Sequence, residues 1–399
     1  MAQNIDKPMV PGFTANGIHA GIKADGRKDL SLIYSVTPAK ASGVFTTNSF
    51  KAAPVLLDEL RIKSGKAQAI IANSGNANAA TGSEGYDDAL FMSKAASNAL
   101  HIDDNLVLVA STGIIGQRLP ISKIGGGINK LITGLRPEGI IEAEEAIMTT
   151  DRFPKISCRK ALAGSKEITL CGIAKGAGMI SPKMATMLGF FLTDADVDGL
   201  VLGNLLRQAV NISFNAITVD GCMSTNDTAI IMANGTANNK PIRKGSKDYF
   251  VFREMLSAVA LELAQAIVRD GEGATKFIEI TIEGAASTGD AKKAAYAVAD
   301  SNLVKTAFFG CDPNWGRIIS AIGSAGISVS TDEAQVSFED TIIFLGGKGQ
   351  SVNKQRISEI MSQPSIKLRV NLGAGKKRFC LYTSDLSFEY VKINAHYHT

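Results

Sequence analysis

Histidine is scarce in this chain, with four residues in 399: His19, His101, His396 and His398. Triad-type nucleophiles need a histidine base beside them, so that chemistry has few places to sit. His396 and His398 form a His-Tyr-His tail, but no Cys, Asp or His cluster accompanies it, and no metal site is expected. The five cysteines, Cys158, Cys171, Cys222, Cys311 and Cys380, are scattered and odd in number, and no pair has metal-ligand spacing. Such usage fits a reduced, cytoplasmic protein. No apolar run reaches the roughly 18 residues that a membrane-spanning helix needs. The opening residues, MAQNIDKPMVPGF, lack the apolar core of a secretory signal. No dense Lys/Arg run appears and the net charge is only +4, so neither nucleic acid nor anionic membrane is an expected partner. The phosphate-cradling pattern GxxxxGK[ST] is also absent.

What remains is ordinary globular material: 45% hydrophobic and 20% charged residues. The length allows two domains and a large core. Residues 1–70 read as strands and turns, with a strand over Ser31 to Val36 and a turn-linked continuation through Ala52-Ala53-Pro54-Val55. A buried strand over Ala67 to Ala72 runs into the small polar loop Asn73 to Ala80. Tyr86 to Leu100 has helical apolar spacing. Leu106 to Ala110 reads as a core strand ending at Ser111-Thr112-Gly113. A hydroxyl and a glycine N–H at a strand end can aim at one oxyanion, although a plain strand-to-turn junction has the same pattern. An acidic helix over Gly139 to Met148 ends in Met148-Thr149-Thr150-Asp151, and paired strands follow over Cys158 to Ala174.

The stretch Lys175 to Leu192, KGAGMISPKMATMLGFFL, organises the rest. Lys175 to Gly178 reads as a flexible basic turn. A connector holding Pro182 follows. Thr186 then opens the apolar run Met187 to Leu192, a buried strand by its length and flanks. Ala185 is small and leaves room around its carbonyl. A threonine placed there could attack that carbonyl and become an N-terminus. Its own α-amine, with an ordinary pKa of about 7.7–8.0, could then serve as the base that histidine does not supply. By pattern alone, Thr186 equally fits a residue that starts a strand.

Downstream, Asp196 to Val210 and Phe250 to Arg269 read as helices. The second stops at Asp270-Gly271-Glu272-Gly273, where glycine is a common helix end. Glu272, between two glycines, can present its carboxylate to a ligand or simply to solvent. Beyond Lys276 the character changes. Short strands over Phe277 to Ile282, Glu333 to Phe338, Thr341 to Leu345, Ile366 to Leu372 and Lys377 to Leu381 alternate with helices near Ala291 to Asp300 and Asn314 to Ala321. This suggests a smaller α/β domain over 276–399 beside a larger one over 1–275.

The string KGAGMISPKMATMLGFF resembles the cleavage-site signature of the ornithine acetyltransferase family, the bifunctional glutamate N-acetyltransferases of arginine biosynthesis. The likeness extends to Asn73-Ser74-Gly75-Asn76-Ala77-Asn78, Met148-Thr149-Thr150-Asp151 and Ser224-Thr225-Asn226-Asp227, and covers nearly the whole chain. Cys222-Met223 departs from the family's more usual Asp-Thr. The resemblance implies a four-layer αββα sandwich like that of N-terminal-nucleophile hydrolases, with the smaller C-terminal domain attached. It implies self-cleavage between Ala185 and Thr186, then acetyl transfer from N2-acetylornithine to glutamate through an acetyl-Thr186 intermediate. Ornithine and N-acetylglutamate are the implied products. No cofactor is implied, and acetyl-CoA stays open as a second donor. Carried over residue by residue, Thr112 and Gly113 form the oxyanion hole. Thr149, Lys175, Glu272, Asn394 and Thr399 bind substrate. Two copies of each cleaved chain would form a heterotetramer. A self-processing aminopeptidase or amidase of related fold is the alternative.

Overall fold

The computed structural model describes residues 3–4, 8–181 and 187–396. Its strands in chain order are β1 Gln3–Asn4, β2 Phe13–Ile18, β3 Leu30–Phe45, β4 Lys66–Asn76, β5 Val107–Ile114, β6 Ile156–Ala163, β7 Lys166–Lys175, β8 Leu188–Thr193, β9 Ile217–Thr218, β10 Thr228–Ala233, β11 Phe277–Ala285, β12 Gln335–Phe338, β13 Thr341–Leu345, β14 Lys348–Gly349, β15 Ser365–Asn371 and β16 Lys377–Ser384. Its α-helices are α1 Ala53–Arg61, α2 Gly82–Leu100, α3 Ile121–Thr133, α4 Ile140–Ile147, α5 Gly199–Ile212, α6 Lys247–Arg269, α7 Thr288–Ala299, α8 Asn302–Phe309, α9 Trp315–Gly323, α10 Lys354–Met361 and α11 Phe388–His396.

The first sheet has the order β1-β6-β7-β8-β10-β3-β4-β5, with β2 also paired to β3. The 16-residue β3 belongs to both of its halves. Its first part pairs with β2 and β4, its last part pairs with β10, and the register slips between Tyr34 and Ala39. A slip of this kind bends a strand and increases its twist. The bend lets the sheet fold over on itself. Ile33, Ile70 and Leu108 from one half meet Phe190, Leu192 and Ile230 from the other in one buried cluster. Because side chains alternate across a strand, Leu32, Ile71 and Val109 point outward and pack on Met92 of α2 and Ile128 of α3. On the far side, Phe191 and Ile231 pack on Leu206 of α5 and Phe252 and Leu263 of α6. The result is helix, sheet, sheet, helix: the αββα sandwich. The helix α4 closes one edge, with Ile140 and Ile147 in the inner cluster.

A second sheet has the order β14-β13-β12-β15-β11-β16-β9. Ile280, Leu368 and Val370 pack there against Ala294 and Val298 of α7, Ile318 of α9 and Ile360 of α10. Its edge strand β9 comes from residues 217–218, well before the other strands in sequence, and pairs in parallel with Tyr382 and Thr383.

Four sequence expectations fail. The strand expected to stop at Ala72 continues as β4 to Asn76, so Asn73 to Asn76 are not loop. Ala53-Pro54-Val55 opens the helix α1 instead of continuing a strand, with Pro54 in its first turn. Proline lacks the N–H that a first helical turn does not need, so it starts helices well. Lys175 is the last residue of β7 and buried, not part of a flexible turn. Cys158 and Cys171 form a disulfide, with sulfurs 2.04 Å apart, so the cysteines are not all reduced. They are register partners on antiparallel strands β6 and β7, their Cα atoms 4.0 Å apart. Directly opposed residues bring side chains that close whatever their spacing in sequence. Cys222, Cys311 and Cys380 remain free. No helix among the described residues is long and apolar enough to cross a membrane.

Phe191 is fully buried, its ring 6.2 Å from that of Phe214. Phe191→Ala is expected to lower stability by about 3–5 kcal/mol, the usual cost of removing a buried aromatic ring. Urea denaturation should show a lower midpoint with an unchanged slope.

Candidate active site

Two neighbouring strands in the folded sheet end at the same place. The strand β5 runs parallel to β4, pairing Ser111 with Asn73 and Gly113 with Gly75. Gly113 has φ +134, and a Cβ there would sit 2.4 Å from the Gly75 carbonyl carbon and 2.5 Å from Asn76 N. Only glycine fits that position. The close approach turns the chain and sets Thr112 at the rim of a cavity.

On the opposite half-sheet, β7 ends at Lys175. Its ammonium donates to Thr112 Oγ1 at 3.1 Å and to Thr149 Oγ1 at 2.8 Å. Lys175 is 3% exposed, and burial pulls its pKa below the usual lysine range against the upward pull of Asp151. A buried cation needs a counter-charge. Asp151 supplies it, and itself accepts from Gly176 N–H at 2.7 Å, Lys155 Nζ at 2.7 Å and Thr149 N–H at 2.8 Å. Burial would raise the Asp151 carboxyl, but the charges of Lys175 and Lys155 overcome that and hold it well below the usual range. Lys155 Nζ also reaches Asp270, at 2.6 Å, at the end of α6. Arg152 Nε donates to Asp270 as well, at 3.0 Å. On the solvent side, Lys23 donates to Met148 O and Arg27 to Thr149 O, which pins the loop carrying Thr149.

Just past Asp270, Glu272 N–H donates to Ala177 O at 2.9 Å. Its carboxylate crosses over Gly178, where an added Cβ would come within 2.5 Å of it. Glu272 Oε2 accepts from Asn394 Nδ2 at 2.8 Å. Asn394 lies on α11, so the tail expected to return to this region does so as a helix up to His396.

The structure therefore gathers Thr112, Gly113, Thr149, Lys175, Glu272 and Asn394 around one cavity, although they span most of the sequence. Ala185, Thr186 and Thr399 lie outside the described residues. Met187, bonded to Thr186, is described: its N–H donates to Asp227 Oδ1 at 3.0 Å. Sequence reasoning missed Asp151, Lys155 and Asp270 as one charge network, and Asn226 as a wall residue whose amide donates to Ala77 O and Ser111 O. Asp151 stood at the end of Met-Thr-Thr-Asp, but nothing in the string paired it with Lys155 and Lys175.

The model of the ArgJ family matches residues 14–399. An arginine biosynthesis bifunctional protein ArgJ from Geobacter sulfurreducens is 50% identical over 395 residues, spanning 98% of this chain and 100% of its own. The chain belongs to the ArgJ family. A second ArgJ protein, from Syntrophotalea carbinolica, is 47% identical over 391 residues, spanning 98% and 99%. An ornithine acetyltransferase from Mycobacterium tuberculosis, solved with ornithine, is 37% identical over 47% of this chain and 100% of its own, with a TM-score of 0.44. Membership makes this ArgJ-family chain an acyltransferase of arginine biosynthesis.

Below the site, Glu144 on α4 is fully buried and accepts from Lys155 N–H at 3.0 Å. Burial pushes its carboxyl up to about 8 from 4.5, against that hydrogen bond and the Lys155 charge. Between those values the folded chain holds a proton that the unfolded chain has lost. Stability from this group is full below the lower value and falls as pH rises through the upper one. Glu144→Gln should flatten that decline, with its largest gain over the native chain at about pH 8 or above. Urea midpoints across that range test it; parallel curves for the two proteins refute it.

Proposed function

We propose that the chain cuts itself between Ala185 and Thr186 and then carries acetyl from N2-acetylornithine to glutamate on Thr186. In the cut, Thr186 Oγ adds to the Ala185 carbonyl carbon. The C–N bond breaks, the amine nitrogen takes the hydroxyl proton, and water hydrolyses the ester to a free Ala185 carboxylate and a free hydroxyl. The new α-amine is then the base for its own hydroxyl. In transfer, Oγ adds to the acetyl carbon of N2-acetylornithine and ornithine leaves with a proton. The amine of glutamate then takes the acetyl group, and N-acetylglutamate departs.

The observation that carries this reading is the Lys175 ammonium held between the Thr112 and Thr149 hydroxyls. Because Lys175 donates to Thr112 Oγ1, the threonine keeps its own proton to give to a tetrahedral oxyanion. Gly113 N–H is assigned as the second donor. Such donors, fixed before the reaction, supply much of the catalytic effect. Lys175 has one further N–H for a substrate carboxylate, with Thr149 beside it. Glu272, held by Asn394, faces the substrate's amine, and Thr399 joins this end. Charged ligands leaving water need such partners. The relatives are named bifunctional, and on that ground acetyl-CoA is assigned as a second donor to glutamate. No cofactor is assigned.

The catalytic domain is taken as 1–275 and the smaller domain as 276–399. Cleavage would not separate the two pieces. The strands β8 and β10 lie after the cut, yet sit in the sheet between β7 and β3, which lie before it. Two copies of each piece are taken to form the assembly.

Thr186→Ala should purify as one uncut chain of 42.0 kDa without transferase activity, whereas the native protein runs as two bands that co-elute on gel filtration. Complete cutting of the variant would place the nucleophile elsewhere. Thr112→Ala should lower kcat by about 10²–10³-fold with little change in KM. Transfer from N2-acetylornithine to glutamate is the measurement, and an effect on KM alone would make Thr112 a binding group.

A further inference from the structure

One short segment, residues 218–228, grips the chain on both sides of the bond assigned to self-cleavage. Upstream, Asp220 Oδ2 accepts from Met179 N–H at 2.7 Å and Asp220 Oδ1 from Ile180 N–H at 2.9 Å. Val219 N–H donates to Ile180 O at 2.9 Å, and Thr218 Oγ1 lies 3.1 Å from the same oxygen. Downstream, Asp227 Oδ1 accepts from Met187 N–H at 3.0 Å, and Thr228 N–H donates to Met187 O at 3.1 Å. Every backbone polar group of Met187 and Ile180, and the N–H of Met179, is thus bound to one segment.

Two features set this apart from ordinary strand packing. Met179 has φ +58, a left-handed conformation for a residue with a Cβ. Such a kink costs of order 1–3 kcal/mol and persists only where neighbours enforce it. Here both oxygens of Asp220 enforce it. Asp220 Oδ2 also accepts from Tyr390 OH, at 3.3 Å, on the helix that carries Asn394. Asp227, for its part, is fully buried, and its Oδ2 has no hydrogen-bond partner among the described residues. A buried carboxyl oxygen without a partner is costly, so packing alone does not account for an aspartate there.

We infer that Asp220 and Asp227 are positioning residues for self-cleavage, fixing the chain at Met179–Ile180 before Ala185 and at Met187 after Thr186. This rests on the cleavage reading above. An intramolecular attack is fast only when the reacting atoms are held in near-attack geometry, and a displacement of about 1 Å can cost about 10²-fold. The carboxylates do not touch the reacting atoms. They hold Met179, Ile180 and Met187, which fixes the two described positions that flank the bond to be cut. In Asp220→Asn one oxygen becomes an NH2 group facing a backbone N–H, so one of the two upstream bonds is lost. In Asp227→Ala the downstream bond is lost.

The test uses full-length Asp220→Asn and Asp227→Ala, with Asp194→Asn as control. Asp194 is another buried carboxylate, bound to Thr169 N–H at 2.6 Å, and follows β8 at the end opposite Met187. The fraction of uncut chain is followed in time on denaturing gels, and thermal midpoints are measured alongside. The expected result is cutting about 10²-fold slower in both Asp220→Asn and Asp227→Ala, with the control cut at the native rate despite its own loss of stability. Cutting at the native rate in both of these variants overturns the inference. So does a slowing, in all three variants, that merely follows the thermal midpoint. A native chain that never cuts overturns the cleavage reading together with this one. If Asp227→Ala does not fold, Asp220→Asn decides, since Asp220 is only partly buried.

Discussion

The site depends on a buried cation that, among the described residues, has no direct carboxylate contact of its own. Lys175 donates to two neutral hydroxyls, Thr112 and Thr149, and its counter-charge, Asp151, is shared with Lys155. Taking an ammonium out of water is unfavourable unless opposite charge and hydrogen bonds replace the solvent. Asp151, Lys155 and Asp270 do this as a chain of alternating charge, each member buried. The arrangement is rigid because each group has several partners. It is also vulnerable, since removing one member leaves another charge buried and unpaired.

That network explains why the cavity draws on both halves of the molecule. Asp151 and Lys155 hang between α4 and β6, Lys175 ends β7, and Asp270 ends α6, which covers the outer face of the same half-sheet. Asp270 and Glu272 follow one another at the end of that helix. The charge that secures Asp270 therefore also sets the place of Glu272, whose N–H is tied to Ala177 O. Through Asn394 the same corner reaches α11 at the far end of the chain. One electrostatic constraint thus links the hydroxyl-lined wall of the cavity to its acidic wall.

The folded-over first sheet does the rest. The bend in β3 brings β4 and β5 onto β7 and β8, so Thr112 and Lys175 come from opposing half-sheets. At the cavity, Gly113 and Gly178 each stand where a side chain would clash, one against the Gly75–Asn76 backbone and the other against the Glu272 carboxylate. In the sequence Gly113 read as the end of a strand and Gly178 as part of a turn. Their reason is crowding by segments far away in the chain.

Much of this was legible in the string of residues. Apolar periodicity located the core strands and most helices, because burial of a face imposes a local repeat. The long signature around Ala185 and Thr186 carried the family, and with it the αββα class and the residues around the cavity. Other features could not be read there. The Ala53–Arg61 helix looked like a strand because its first residues, Ala-Pro-Val, suit either element until Leu57 and Arg61 find their packing partners. The Cys158–Cys171 bond needed the register of β6 on β7. The charge chain of Asp151, Lys155 and Asp270, and the grip of Asp220 on Met179 and Ile180 and of Asp227 on Met187, needed the fold itself. The sequence determined which residue types and local elements were available, since these follow from neighbours a few positions apart. The tertiary structure alone decided which carboxylate meets which cation, N–H or O–H, because Coulomb and hydrogen-bond partners are chosen by distance in space; Asp220 and Tyr390, for one, are 170 positions apart.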